Sequence, residues 1–300
     1  MKKNTPRKHH FIPQYYLKGF SIPNSEKVWV YDKEDKQKEP FSPNIEKIAT
    51  ERDFYKLNLY EGDEDTRVLE DYFANKIEGP ANLILDKILK KERIDILDKD
   101  IMSFYIYSMI RRVPDAKKRA KQIIPTLSDS MLKETKEMIE SNPKFQNYTI
   151  SEKEFLLNYA KEFIQEQSDN PSAIFLKPSK SSSTLVVLKT MMAMNWYFLY
   201  TTDNYFLTCD NPVFTHRLGN GLTQGELTLP ISKNIALWAT KINRYPNERS
   251  YQLASARRLK EINRRTIHNA TRFVYSSAKE SWITKIIEKE NIQIKSHLDS

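Results

Sequence analysis

Residues 184–212 read TLVVLKTMMAMNWYFLYTTDNYFLTCDNP, and within this stretch the pattern changes from helical to extended. Residues 184–194 are mostly apolar with helical spacing, which predicts a helix. Residues 196–200 and 205–209 are rich in aromatic residues and are separated by Thr-Thr-Asp-Asn, so we expect two strands joined by a short loop. Because a helix leads directly into strands here, the stretch indicates an α+β fold.

The same two patterns recur on both sides of this stretch. Further strands are predicted at residues 27–32, 227–231, 235–240 and 272–275. Further helices are predicted at residues 66–77, 83–89, 98–113, 128–140, 151–165 and 254–269. Asp98 is the expected N-cap of the helix at 98–113. These elements predict a helix-rich α+β single domain, residues 1–300, with a modest, mainly antiparallel sheet, a basic leader at 1–8 and a soft surface loop at 166–183.

Composition argues against several classes of protein. The chain has only 6 glycines, and neither GxGxxG nor GxxxxGK[ST] occurs, which disfavours a nucleotide-hydrolysing fold of the P-loop kind. Cys209 is the single cysteine, so no internal disulfide is expected. No apolar run reaches the roughly 20 residues of a membrane span, and no apolar segment follows the basic N-terminus as in a secretory signal. We therefore expect a cytoplasmic protein with no membrane partner.

The net charge of +9 is concentrated in three basic clusters. They lie in the leader, at residues 111–121 and at residues 244–272. Clustered lysines and arginines neutralise a phosphate backbone, so the pattern favours a nucleic-acid partner, either RNA or DNA. The candidate contacts in the third cluster are Arg257, Arg258, Arg264 and Arg265. The alternative is that each cluster is only the solvated face of a helix.

A double histidine follows the leader, in the string HHFIPQ at residues 9–14. Imidazole titrates near neutral pH and serves as a base, an acid or a metal ligand. Because neighbouring residues of a strand face opposite sides, we expect one of His9 and His10 to face a site and the other to pack. The string resembles the first strand of the ββα-metal (HNH) nucleases, although the Asn and His of the second half of that signature are missing. The alternative is the start of a strand with one satisfied core histidine.

A carboxylate and an amide, Asp210 and Asn211, come directly before Pro212 and after an apolar run. A strand that ends in this way delivers polar groups to a sheet edge, where Asp210 suits a divalent cation or orients a histidine. His10 and Asp210 are therefore the candidate metal ligands. An Asx-turn, in which Asp210 or Asn211 caps its own backbone, explains the same residues equally well.

Two further candidates are Glu51 and Arg112. In an extended segment Glu51 and Asp53 lie on the same side, and two such carboxylates can hold a metal or act as acid and base. The alternative is an exposed strand in which they form a local ion pair with Arg52. Arg112 lies three residues after Met109, at the edge of an apolar helical stripe, from which it can reach a carboxylate or a phosphate. As the alternative, an arginine in a last helical turn simply complements the helix dipole.

The strings HHFIPQYYLKGF, ERDFY, RRVP, and TCDNPVF followed by TLPIS resemble, in this order, the bacterial family called domain of unknown function 4238. The resemblance spans about residues 9–275 and is most specific in the opening string. Position by position it points to His9, His10, Pro13, Gln14, Tyr16, Glu51, Phe54, Tyr55, Arg112, Pro114, Asp210, Asn211 and Pro212. Cys209 stands where the family usually has a serine. The resemblance implies occurrence in bacteria, sometimes among antiviral defence genes, with no assigned reaction.

If these motifs lie close together in the fold, they form a site for phosphodiester hydrolysis. Its residues would be His9, His10, Glu51, Arg112, Asp210 and Asn211. Histidine would activate water, carboxylates would place a divalent metal such as magnesium or manganese, and arginine would stabilise the phosphoryl oxygens. Gln14 and Tyr55 would join the arginines in binding. The leading hypothesis is a nucleic-acid-cleaving effector, a nuclease acting in antiviral (phage) defence.

Two other functions fit the same residues. One is a non-catalytic sensor that binds nucleic acid or a ligand, in which Arg112 pairs with Glu51 or Glu78. The other is a nucleotide-cofactor hydrolase, in which aromatic side chains stack on a base. The two main hypotheses differ in one structural respect: a nuclease needs these groups at an open cleft, whereas a binder buries them in satisfied pairs. The sequence predicts no oligomeric state.

Overall fold

The computed structural model describes residues 8–52, 71–169, 182–216, 225–243 and 250–289. Its helices are α1 (Gln14–Lys18), α2 (Gly79–Leu89), α3 (Ile96–Arg111), α4 (Pro114–Ser141), α5 (Ile150–Asp169), α6 (Ser182–Met192), α7 (Ala256–Asn269) and α8 (Ser281–Glu288). Its strands are β1 (Lys8–His10), β2 (Trp29–Asp32), β3 (Thr50–Arg52), β4 (Asn195–Tyr200), β5 (Thr208–Cys209), β6 (Phe214–His216), β7 (Glu226–Ser232), β8 (Ile235–Thr240), β9 (Tyr251–Leu253) and β10 (Phe273–Ser276). The helices hold more residues than the strands and the sheets are mainly antiparallel, so the predicted α+β class is confirmed.

The largest sheet has five strands in the order β6-β7-β8-β4-β9. Its neighbours are antiparallel except β4 and β9, which are parallel. Every residue of β7 and β8 is buried, as expected for central strands covered on both faces. Pro230 lies inside β7 at a register irregularity, where the missing proline N–H disturbs the ladder least.

Two smaller sheets complete the strand pairing. One has three antiparallel strands in the order β2-β10-β5, and the other is a two-stranded ribbon of β1 and β3. The two strands predicted at residues 196–200 and 205–209 therefore belong to different sheets. Of the second, only Thr208 and Cys209 are extended strand, because Phe206 N–H donates to the Lys233 carbonyl at 2.8 Å and Leu207 N–H to Asn263 Oδ1 at 2.9 Å. Their backbone groups are satisfied without a neighbouring strand.

Several helix boundaries differ from the predicted ones. The N-cap of α3 is Asp95 rather than Asp98: Asp98 N–H donates to Asp95 Oδ1 at 2.9 Å, and Asp95 N–H donates to Asp98 Oδ2 at 3.2 Å. This reciprocal capping box makes Asp98 the third helical residue. α4 begins at Pro114, where proline is well suited to a first turn, so the prediction of 128–140 is too short.

Other predicted segments fall partly outside the described residues. α5 continues to Asp169, so the first part of the predicted loop at 166–183 is helical, and α6 begins at Ser182. Of the predicted leader, Lys8 belongs to β1 and residues 1–7 lie outside the described ranges. The predicted helix at 66–77 begins outside them and ends in a π-helical segment, Phe73–Glu78. None of the described helices is long and apolar enough to cross a membrane.

The main core packs α1, α2 and α3 against the five-stranded sheet. It includes Tyr16, Leu17, Ile84, Ile88, Met102, Ile106, Leu229 and Leu237. α1 approaches the sheet so closely that a Cβ at Gly19 would lie 3.0 Å from the Ile231 carbonyl oxygen. The φ angle of Gly19 is −61°, which suits any residue, so it is the close approach that requires glycine here. A second core lies between the three-stranded sheet, α7 and α8 and includes Tyr31, Leu207, Ile267, Val274 and Ile283.

Candidate functional site

The β1–β3 ribbon brings two of the predicted motifs side by side. Its register pairs Lys8 with Arg52, His9 with Glu51 and His10 with Thr50. The Phe11 N–H continues the pairing by donating to the Ala49 carbonyl at 3.0 Å. Strand alternation buries His9 completely and leaves His10 half-buried. The structure thus has one packed histidine, His9, and one partly accessible histidine, His10, and the expectation that His10 faces a site stays a prediction.

The His10 ring is held at both nitrogens. Its Nε2 lies 3.2 Å from the Glu46 carbonyl oxygen, and its Nδ1 lies 3.4 Å from the side-chain nitrogen of Gln14. A carbonyl only accepts hydrogen bonds, so we assign the ring hydrogen to Nε2 and the lone pair to Nδ1. Burial lowers the pKa of His10, which outweighs the opposing effects of the Glu46 carbonyl and the Glu78 carboxylate. The ring is thus a neutral imidazole at pH 7 with a defined acceptor nitrogen.

Arg112 connects the end of α3 to this ribbon. Its guanidinium donates from Nη1 to Glu78 Oε1 at 2.6 Å and from Nη2 to the His10 carbonyl at 3.2 Å, and it lies over the Phe73 ring. The side chain is 4% exposed, so the guanidinium is not presented to a ligand in solution. Of the two carboxylates weighed as partners, the structure pairs Arg112 with Glu78.

Glu51 has a different partner. Its Oε1 accepts a hydrogen bond from Lys117 Nζ at 3.0 Å, and both side chains are partly exposed. An exposed pair of this kind contributes roughly 0–1 kcal/mol to stability. Asp53 and Tyr55 lie outside the described residues.

The carboxylate of Asp210 is engaged by the backbone that leads into β10. It accepts hydrogen bonds from the N–H groups of Thr271 at 2.8 Å, Arg272 at 2.8 Å and Phe273 at 2.9 Å. Burial raises the pKa of Asp210, and the three N–H donors oppose that rise. Asn211 is buried in the same junction, where its carbonyl accepts from the Cys209 thiol and from Asn269.

These contacts tie Asp210 and Asn211 to the segment that leads into β10 and to Asn269 at the end of α7. The structure brings together the motifs of His10, Glu51 and Arg112 and places the fourth motif in the three-stranded sheet. The oxygens of Asp210 accept hydrogen bonds from backbone donors, and the pairing of His10 and Asp210 as metal ligands stays a prediction. Across the ranges that the structure describes, no cluster of three or more His, Cys, Asp or Glu is suited to hold a metal ion. A requirement for magnesium or manganese stays a prediction.

Buried tyrosines lie between the ribbon and the Asp210 motif, and sequence reasoning missed one of them. The Tyr16 hydroxyl is 2.7 Å from Thr208 Oγ1 and donates to the Pro230 carbonyl at 2.7 Å. The Tyr275 hydroxyl is hydrogen-bonded to the backbone of Ala49, beside the ribbon, and senses the charge of Asp210. Burial raises the pKa of both phenols well above the ordinary value, so both stay protonated. Tyr275 sits in a predicted strand, but no local signal marked its hydroxyl as a connection between the motifs.

The basic helix α7 is divided between surface and core. Arg257 is exposed and Arg264 is half-buried, as a binding surface requires. Arg258 is half-buried, with its guanidinium 5.8 Å from the centroid of the Trp238 ring. Arg265 is fully buried, and its Nη2 lies 2.7 Å from Glu226 Oε1. The inclusion of Arg265 in a nucleic-acid surface is therefore corrected: it neutralises a buried carboxylate, which would otherwise be costly to hold away from water.

Comparison with known proteins adds one match. No curated protein and no solved structure matches the chain with significance. The family described as "Protein of unknown function (DUF4238)" matches residues 8–280, which include the ribbon, Arg112, the Asp210 motif and α7. Because the match covers most of the 300 residues, the chain belongs to this family.

Proposed function

We propose that this chain hydrolyses phosphodiester bonds of nucleic acid, with His10 as the general base. One observation carries the proposal: Nε2 of His10 is anchored to the Glu46 carbonyl, which leaves Nδ1 as the acceptor nitrogen, with the side-chain nitrogen of Gln14 3.4 Å away as a group that water would replace. A base that removes a proton from water needs a fixed tautomer and a pKa at or below the working pH. Burial gives His10 such a pKa.

Positive charge beside His10 supports a polyanionic substrate. Lys8 and Arg52 are exposed cross-strand neighbours on the ribbon, and Lys117 reaches the same ribbon through Glu51. Lysine and arginine side chains on one surface attract the phosphates of a nucleic acid. In this proposal Arg112 is a positioning residue, which holds the backbone of His10 through its carbonyl.

A second candidate function is a non-catalytic module that binds nucleic acid or another ligand. Arg112 and Asp210 favour it, because both are buried with their polar groups engaged by Glu78 and by backbone N–H groups. In that case His10 and Gln14 would form part of a binding surface without chemistry. Action in the cytoplasm and a role in antiviral defence are also part of the proposal, and the latter rests on the family resemblance.

The test compares cleavage by wild type and by His10→Ala. Purified protein is incubated with end-labelled RNA, single-stranded DNA and duplex DNA, each with magnesium, with manganese and with chelator. His268→Ala is the matched control, because His268 is an exposed histidine on α7. We expect cleavage by wild type and by His268→Ala, and its loss in His10→Ala.

Two outcomes would decide against hydrolysis with His10 as the base. Cleavage that His10→Ala retains would come from another site or a contaminant. Absence of cleavage by wild type in all conditions, with nucleic acid still bound in a mobility-shift assay, would favour the binding module.

A further inference from the structure

The helix that supplies Gln14 also presents an exposed face. Gln14, Tyr15 and Lys18 are exposed, whereas Tyr16 and Leu17 are buried. Residues three and four apart are neighbours on a helix, so Lys18 lies beside both Gln14 and Tyr15. Gln14 contacts the His10 ring, and the exposed face of α1 therefore leads from His10 to Lys18.

A groove lies along this face, with a cavity volume of about 220 Å³. Its lining comprises Tyr15, Tyr16, Lys18, Gly19, Leu85, Leu89 and Ile231. Pockets for drug-sized ligands hold about 300–1,000 Å³, so this groove accommodates one ring-sized group rather than a whole dinucleotide. An aromatic ring and leucine side chains form its walls, and a lysine contributes positive charge.

The ring of Tyr15 is fixed before any ligand arrives. Its hydroxyl donates a hydrogen bond to Asp86 on α2, and this bond raises the pKa of Tyr15 to about 12. The phenol is therefore protonated and uncharged at neutral pH. A tyrosine ring held at its far end loses little conformational freedom when another ring packs on it.

We propose that this groove binds a base of single-stranded nucleic acid, stacked on Tyr15 beside Leu89, with an adjacent phosphate at Lys18. Every base has a face that can stack on an aromatic ring, and combining such rings with lysines is the general way of binding single strands. The proposal rests on the proposed function, since it places a base next to the cleaved phosphate on α1, the helix whose Gln14 contacts the His10 ring.

The test measures binding of a single-stranded oligonucleotide that carries one 2-aminopurine, whose fluorescence falls when the base stacks. Titrations use chelator and both wild type and His10→Ala, so that binding is read without cleavage. We expect Tyr15→Ala to raise Kd about 5- to 100-fold. Tyr15→Phe keeps the ring and should stay close to wild type. Tyr148→Ala is the control, because Tyr148 is 42% exposed and Tyr15 38%.

Two more variants guard against a folding defect in Tyr15→Ala. Leu89→Glu adds a negative charge at a side chain that is 43% exposed, and it should weaken binding without disturbing the core. Lys18→Gln should reduce the slope of log Kd against log salt by about 0.7, the value for one phosphate contact on a single strand.

The outcomes distinguish this groove from the proposed chemistry. Weaker binding in Tyr15→Ala and Leu89→Glu, with Tyr148→Ala unchanged, supports the groove even if no substrate is cleaved. Unchanged binding in both variants, or no fluorescence change with wild type, overturns the proposal that a base binds in this groove. Cleavage that depends on His10 would still support the proposed hydrolysis.

Discussion

The guanidinium of Arg112 donates from Nη2 to the backbone carbonyl of His10, 3.2 Å away. The same guanidinium holds Glu78 and lies 4.2 Å from the centroid of the Phe73 ring. One buried cation thus fixes the end of α3, the π-helical segment and the strand that carries His10. A change at Arg112 should therefore be transmitted to the position of His10 as well as to stability.

We expect Arg112→Ala to lower the free energy of unfolding by about 3–5 kcal/mol, because it leaves Glu78 without its buried cation. Urea denaturation followed by circular dichroism measures the change. Arg119→Ala is the control: Arg119 is 56% exposed in its pair with Asp115, and its removal should change stability by less than about 0.5 kcal/mol. Equal stability of the two variants would contradict the anchoring role of Arg112.

A second prediction concerns pH. If His10 is the base, kcat/KM should rise as the pH rises through the pKa of His10 and then level off. Burial lowers this pKa below its ordinary value of 6.5, so the rise should lie on the acid side of pH 6.5. Rates from about pH 5 to about pH 8 measure it. His268→Ala should leave the profile unchanged, and a midpoint above 6.5 in wild type would exclude His10 as the group responsible.

The free energy of unfolding should also depend on the protonation of His10 and, like kcat/KM, should rise with pH. The folded chain binds the His10 proton less tightly than the unfolded chain, so protonation favours unfolding. The contribution is fully present above pH 6.5 and is lost as the pH falls through the pKa of the folded state. The midpoint of urea unfolding for His10→Gln should lack this part of the pH dependence.

Asp210→Asn should be destabilising by about 1–3 kcal/mol, because an amide offers one acceptor oxygen and turns its NH₂ toward a backbone donor. Both carboxylate oxygens of Asp210 accept hydrogen bonds, which no amide orientation can reproduce. Thermal unfolding checks it, with Asp203→Asn at an exposed position as the control. Wild-type stability in Asp210→Asn would restore Asp210 as a candidate functional carboxylate.

The buried pair of Arg265 and Glu226 should behave as a unit. Arg265 Nε also lies 3.7 Å from the buried Glu261, so Arg265→Met leaves two carboxylates without their cation and should cost about 3–5 kcal/mol or more. Glu226→Leu should cost less, because Arg265 keeps Glu261. The double variant should lose less than the sum, because apolar residues of similar volume replace the pair and only Glu261 is left without its cation. A double-mutant cycle by denaturant unfolding measures this coupling. Additive losses would mean that the two side chains do not interact as the 2.7 Å contact indicates.

Features that depend on neighbouring residues were predictable from the sequence. β4, β7, β8 and β10 lie close to their predicted positions, because apolar alternation and flanking turns are local signals. The division of α7 between an exposed and a buried face could also be predicted in part from the sequence. Arg265 and Arg258 are seven residues apart, on the face that also carries Ile262, whereas Arg257 lies on the flank, about 100° around the helix from Arg258.

Features that depend on distant partners were not predictable. Asp210 is engaged by N–H groups more than 60 positions later in the chain, and a strand-end carboxylate looks the same with or without them. The pairing of β5 with β10 instead of β4 depends on the same distant segment. The tautomer of His10 depends on a carbonyl 36 positions away, which no sequence pattern marks.

The hydrogen bond between Arg112 and His10 spans 102 positions, and that between Tyr16 and Thr208 spans 192. Ribosomes add about 5–20 residues per second, so roughly 5–20 s separate the synthesis of His10 from that of Arg112. A ribbon of two short strands is marginal by itself in water. The strand that carries His10 is therefore synthesised before the contacts that order it, and the His10 site can form only after Arg112 has left the ribosome.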